Sequence, residues 1–314
     1  MCRIFKKKNK NIVVLKKTKP GTCGGTDATL DKSAPTEIMS EDMTFFDVYS
    51  ALGTEADREF TDGEGRTRRL GYVHGYACPC GEGTFVLLTV SEGFRRRSGE
   101  APVTKHAYLK EDVMKTLTAL VRDRGIAKRN GFHSKTHGLP ENFGGAADIE
   151  YKSGEKISFS NNQSPIITCD TAAAIAETLG IALEGERVQL PDVTDLKEIK
   201  FEEIRKKGAY TEATLTFLPD GTASVVRRSR YDGPDIYETE KTVDADTVAK
   251  IKENIINTEL PAWAGLPQRD FGFAEKSLTF VFGGGEEIKI GGEHRAPDEL
   301  RHGFFDIELI MTTR

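Results

Sequence analysis

Residues 131–145 read GFHSKTHGLPENFGG and place His133 and His137 four positions apart, with Glu141 and Asp148 close behind. Two imidazoles and a carboxylate can hold a divalent metal, and a metal-bound water is a hydrolytic nucleophile near neutral pH. A histidine pair at this spacing aims both rings at one ion when a helix carries it. Here Ser134, Gly138 and Pro140 interrupt helical continuity, and Ser-Lys-Thr separates the histidines where a zinc hydrolase helix has Glu-x-x. The stretch reads as a solvated loop. His133 and His137 stand as metal ligands only in the alternative of a metal-assisted hydrolase.

Two arginine clusters offer different chemistry. Arg95, Arg96 and Arg97 lie in RRRSGE, and Arg227, Arg228, Arg230 and Tyr231 lie in VVRRSRYDGPDIY. Guanidinium groups beside a tyrosine can grip a carboxylate or phosphate, so these seven are candidate binding residues. Trp263, in LPAWAGLP, is a further candidate as a ligand platform, although a lone Trp there more often covers a core edge. Cys78 and Cys80, two apart, share one face of a strand, and a zinc site would need two more ligands. PGTCGGTD, from Pro20, lacks the Gly-x-x-x-x-Gly-Lys-Ser/Thr phosphate loop, and no Gly-x-Ser-x-Gly elbow occurs. No motif implies a cofactor.

The elements that must position these residues come in two similar sets. ADIEYKSGEKISF (147–159) and LTFVFGGGEEIKI (278–290) each alternate apolar and polar residues around a glycine turn, the pattern of a two-stranded hairpin. Upstream, Met114, Leu117 and Val121 match Val248, Ile251 and Ile255, a spacing that lines one helix face. Each helix is followed by Gly-Leu-Pro and then Phe-Gly. Further upstream, YACPCGEGTFVLL matches ATLTFLPDGTASVV as strand, turn and strand, with a third short strand near 103–108 and 236–242. A proline, Pro165 or Pro297, precedes a closing apolar segment in each copy. The expected fold is α+β: two tandem repeats, each an antiparallel sheet of about five strands with two helices packed on one face. The expected division is a basic flexible arm and linker over 1–45, repeat 1 over 46–185 and repeat 2 over 196–314. The arginine clusters would follow the second strand of each repeat. The histidines would sit in an insertion of about seven residues in repeat 1, between Ile126 and Gly138, where repeat 2 runs directly from Leu260 to Gly265.

Trp263, the LTFVFGGGEEIKI hairpin and the Pro297 segment give residues 66–314 a pattern that resembles a large group of uncharacterised bacterial proteins built from duplicated α+β units. That resemblance implies a fold and no activity.

Length and charge bound the function. A chain of 314 residues suggests two domains. No apolar run approaches a transmembrane helix, and the run Ile12–Leu15 is too short for a secretory signal. Five cysteines without a regular framework fit a cytoplasmic protein. Residues 1–20 hold eight cations and no acid; with −5 on the whole chain, −13 falls on the rest. An acidic body gives no strong nucleic-acid signal, whereas the basic arm can touch an anionic surface, with Ile4, Phe5 and Ile12 to Leu15 as apolar partners. The reading is a non-enzymatic binding or accessory module, with another protein as its candidate partner. The alternatives are the hydrolase above and membrane-surface association through the arm.

Overall fold

The computed structural model describes residues 11–19, 24–52, 59–61, 67–91, 102–139, 143–205, 208–231, 235–266, 274–291 and 295–313. The protein is α+β with two main sheets, of nine and six strands, and divides into two compact units. One comprises Met1–Pro79 with Val86–Glu186, the other Cys80–Phe85 with Arg187–Arg314.

The strands of the first unit are β1 (Ile12–Lys16), β2 (Thr26–Asp31), β3 (Met43–Ala51), the short pair β4 (Glu59–Thr61) and β5 (Thr67–Arg69), β6 (Tyr72–Cys80) and β7 (Gly83–Ser91) apart from their turn-proximal ends within 80–85, β8 (Val103–Leu109), β9 (Phe132–Thr136), β10 (Gly145–Tyr151) and β11 (Lys156–Asn161). Its helices are α1 (Met114–Asp123) and α2 (Cys169–Ala182). The large sheet runs β1-β2-β9-β11-β10-β3-β6-β7-β8. One apolar cluster joins Phe46, Val48 and Ile149 of the strands to Leu117 and Val121 of α1 and to Ile175 and Leu179 of α2. The 3/4 spacing of Met114, Leu117 and Val121 is thus a buried stripe.

In the second unit the elements are β12 (Leu196–Arg205), β13 (Tyr210–Phe217), β14 (Ala223–Arg230), β15 (Tyr237–Val243), α3 (Ala245–Asn257), β16 (Ala274–Phe282), β17 (Glu287–Gly291) and α4 (His302–Thr312). The sheet order is β15-β14-β13-β12-β16-β17. Ile199, Phe201, Leu215, Phe280 and Ile290 are buried, as are Val248, Ile251 and Ile255 of α3 and Ile307 and Met311 of α4. The hairpins β10–β11 and β16–β17 turn at Gly154 (φ 87°) and Gly285 (φ 83°), a left-handed conformation that glycine adopts without a Cβ penalty.

Two helix starts follow from local chemistry. Asp244 Oδ1 accepts the Thr247 N–H at 2.7 Å and opens α3. Thr168 Oγ1 accepts the Thr171 N–H at 3.2 Å and opens α2, with Asp170 in the first turn where the helix dipole favours a negative charge. Thr168→Ala should lower stability by about 1 kcal/mol, read as a reduced urea midpoint, whereas Thr168→Ser should stay near the parent.

Three strands stand where flexible chain was expected. β1 and β2 lie inside the segment assigned to an arm and linker, and they pair with each other and then with β9. The histidine insertion is β9 itself. It pairs antiparallel with β2 and parallel with β11, with His133 opposite Ser160. Short polar segments of this kind carry little periodicity of their own; they are strands because β11 offers an edge to be covered.

Candidate functional site

The histidines do not converge. His133 sits in β9, and its Nδ1 lies 3.0 Å from Ser160 Oγ on β11. His137 follows the strand, and its Nε2 lies 3.1 Å from Asp27 Oδ2 on β2. Extended chain separates the α-carbons of residues four apart by roughly 13 Å, and each ring is engaged by a different neighbouring strand. Among the described residues no three His, Cys, Asp or Glu side chains are placed to hold a metal ion.

His133 instead lines a cleft of about 550 Å³ in the first unit, together with Asp31, Asn130, Ser153, Glu155 and Lys156. The walls largely satisfy one another. Asp31 accepts from the Ser33 hydroxyl at 2.6 Å and backbone N–H at 2.9 Å, and these bonds hold its carboxyl below the usual range. Glu155 accepts the backbone N–H groups of Met39 and Ser40 at 3.0 and 2.9 Å, and its carboxyl is lowered for that reason. Asn130 donates to Pro35 O and Lys156 O and accepts from Ser158 N, which ties the 3₁₀ turn Ile126–Arg129 to β11. Lys156 reaches Asp148 at 2.8 Å and Glu150 at 2.9 Å; burial opposes its charge, but the two carboxylates raise its pKa overall.

Burial pulls the His133 imidazole below its ordinary value, and Asp31 offsets only part of that effect. The folded protein therefore prefers the neutral ring, while the unfolded chain takes up a proton near pH 6.5. Between the lowered folded value and 6.5 the unfolded state binds more protons, so stability rises with pH across that window and falls on acidification. Comparing urea midpoints at pH 7.5 and pH 5.5 for the parent and for His133→Gln tests this. The variant should lose less stability on acidification, and an equal loss would show that the desolvation is not felt.

The second unit holds a cluster of largely buried charges. Lys276 of β16 bonds Glu308 of α4 and lies 3.9 Å from Glu203 of β12, whose other oxygen takes 2.9 Å from Arg205. Glu203 and Glu308 side chains are 8% and 16% exposed and Lys276 is 27% exposed. Glu308 Oε2 and Arg227 Nε are buried and have no hydrogen-bond partner among the described residues.

The arginines expected to form one anion grip are divided. Arg227, Arg228 and Arg230 lie inside β14 rather than after it, and alternation along the strand sends Arg227 to the face opposite Arg228 and Arg230. Arg227 donates to the Thr312 carbonyl at the C-terminus of α4 and, at 2.8 Å, to the Tyr231 hydroxyl. Lys241 donates to Thr313 O at 2.8 Å, so two cations face the negative end of that helix. The Ser229 hydroxyl and then Arg227 lower the Tyr231 pKa. Arg228 bonds Glu238 at 2.7 Å. Arg230 bonds Gly208 O and stacks over the Tyr210 ring at 5.1 Å. Arg95, Arg96 and Arg97 lie outside the described residues.

Trp263 is a core residue, 2% exposed, in the 3₁₀ turn Leu260–Gly265. Its Nε1 donates to Thr258 O at 3.2 Å. Cys78 and Cys80 are buried in β6. Nothing in the local sequence around Glu203, Lys276 and Glu308 marks them as partners, since they come from three segments and only the fold joins them. Comparison with family models and with curated proteins finds no match to the chain. Among the described residues no helix is long and apolar enough to cross a membrane.

Proposed function

We propose that the chain is a non-enzymatic binding or accessory module made from one α+β unit used twice, each with two helices on one face of its sheet, and with another protein as partner. The observation that carries this reading is strand order. From the edge strand inward, β8-β7-β6-β3-β10-β11 in the first unit and β15-β14-β13-β12-β16-β17 in the second follow the same sequence of connections. A duplicated unit of the kind found in the bacterial proteins that the sequence resembles explains this coincidence economically.

The partner surface is the open face of the second sheet. An antiparallel sheet can keep one face in water, with polar residues at alternate positions. Lys200 pairs with Glu287 at 3.0 Å, Lys289 with Glu202 at 2.7 Å and Arg228 with Glu238 at 2.7 Å. Exposed pairs of this kind add little stability, but a mixed-charge lattice gives a partner register and specificity.

Cross-linked capture from native lysate tests the reading, using the full chain and its Lys200→Glu, Lys289→Glu variant. One protein retained by the parent and lost by a normally folded variant supports it. Turnover of any substrate, abolished by a single side-chain change, overturns it. Truncation near Ser40 is a poor probe, because it deletes β1 and β2 from the sheet.

A further inference from the structure

β1 forms one edge of the nine-stranded sheet and lies outside the strand order shared by the two units. Its apolar side chains are not core: Ile12, Val14 and Leu15 are 48%, 59% and 53% exposed. Pairing with β2 slips between Val14 and Lys16, which leaves Leu15 as the extra residue of a bulge. In a regular strand Val14 and Leu15 would face opposite sides; the bulge lets both stand in water. Exposed Lys16, Lys17 and Lys19 follow directly, and Arg3, Lys6, Lys7, Lys8 and Lys10 precede the strand in the sequence.

We propose that this edge docks on an anionic lipid surface, with Ile12, Val14 and Leu15 entering the headgroup–acyl boundary and the flanking lysines resting on lipid phosphates. Charge complementarity selects the occupant. Eight cations gather in residues 1–20 while the rest of the chain carries −13, so an anionic surface attracts this end and repels the body. A further β-strand is a poorer occupant, because the bulge spoils the hydrogen-bonding edge that strand addition requires. A second copy would also bring like charges together, since lysines flank this strand in the sequence on both sides. A polynucleotide answers the lysines but gives three exposed aliphatic side chains nothing to bury against. A lipid boundary satisfies both features and needs no strand register.

The test is co-sedimentation of the full chain with vesicles of phosphatidylcholine alone, and of phosphatidylcholine with phosphatidylglycerol at about two to one. Binding should require phosphatidylglycerol and weaken with salt. Lys16→Gln, Lys17→Gln and Lys19→Gln should each lower partitioning about fivefold. Ile12→Ser, Val14→Ser and Leu15→Ser together should lower it at least about tenfold. Circular dichroism checks that β1 survives, and the lysine series decides the matter if the serine variant does not fold. Absence of binding to phosphatidylglycerol vesicles at low salt overturns the proposal. So does binding that a folded serine variant leaves unchanged, or binding to heparin as tight as to vesicles, since either outcome assigns the edge to charge alone.

Discussion

Lys276→Ala is expected to destabilise the second unit by about 3 kcal/mol, near the lower end for breaking a buried ion pair from one side. The ammonium is the shared counter-ion of Glu203 and Glu308, which come from β12 and α4 and are largely withdrawn from water. Without it Glu203 keeps its direct pair with Arg205, whereas Glu308 loses its bonded cation and feels Arg205 only at longer range. The first unit carries no charge at the comparable distance from its own late hairpin turn. Counting back from the hairpin glycines Gly154 and Gly285, Lys276 stands where the first unit has Gly145. Glu203 pairs with Lys276 across the ladder as Ser50 pairs with Gly145. There a Cβ on Gly145 would come within 2.0 Å of Tyr49 O, so the strands touch through backbone alone. Ser50 Oγ, also uncharged, accepts the Ile166 N–H at 3.1 Å.

The comparison makes the Lys276 prediction specific. Replacing Glu203, Lys276 and Glu308 together by leucine should return stability to within about 1 kcal/mol of the parent, because apolar side chains of similar size often serve as well as a buried ion network. Urea unfolding of the single and triple variants separates the cases. If Lys276→Ala costs less than about 1 kcal/mol, water reaches the pair and the network is ordinary surface charge.

The helices and late hairpins were legible because burial imposes a period. Met114, Leu117 and Val121, and likewise Val248, Ile251 and Ile255, must all face a sheet. The opening strand of the second unit was harder to see. In Leu196–Arg205 the inward positions include Glu203, so the hydrophobic alternation of Ile199 and Phe201 breaks where the buried charge begins. β9 was hidden for another reason: FHSKT has one large apolar residue, and its pairing depends on β2 and β11, far away in sequence. The arginines hold the opposite lesson. Period-2 alternation alone divides Arg227 from Arg228 and Arg230 once β14 is extended to Arg230. What no local pattern encodes is that Arg227 meets the last turn of α4, because that contact needs the whole unit assembled.

Trp263→Ala is expected to cost about 3–5 kcal/mol, the range for removing a large buried aromatic side chain. The indole is among the largest fully buried side chains. Leu260 and Leu266 on either side of it are buried too, so little around the cavity is free to collapse into it. Trp263→Phe separates packing from hydrogen bonding. It keeps most of the volume but leaves the carbonyl of Thr258, itself a buried residue, without the indole N–H, and about 1–2 kcal/mol should be lost on that account. Because the chain has one tryptophan, its fluorescence reports the second unit alone. Emission should be blue-shifted in the native protein and move to the red on unfolding, with no response to a ligand that leaves the fold intact. A fluorescence midpoint that departs from the circular-dichroism midpoint would show the two units unfolding separately. A native emission already at the solvent-exposed wavelength, or an alanine variant as stable as the parent, would return Trp263 to the surface as a ligand platform.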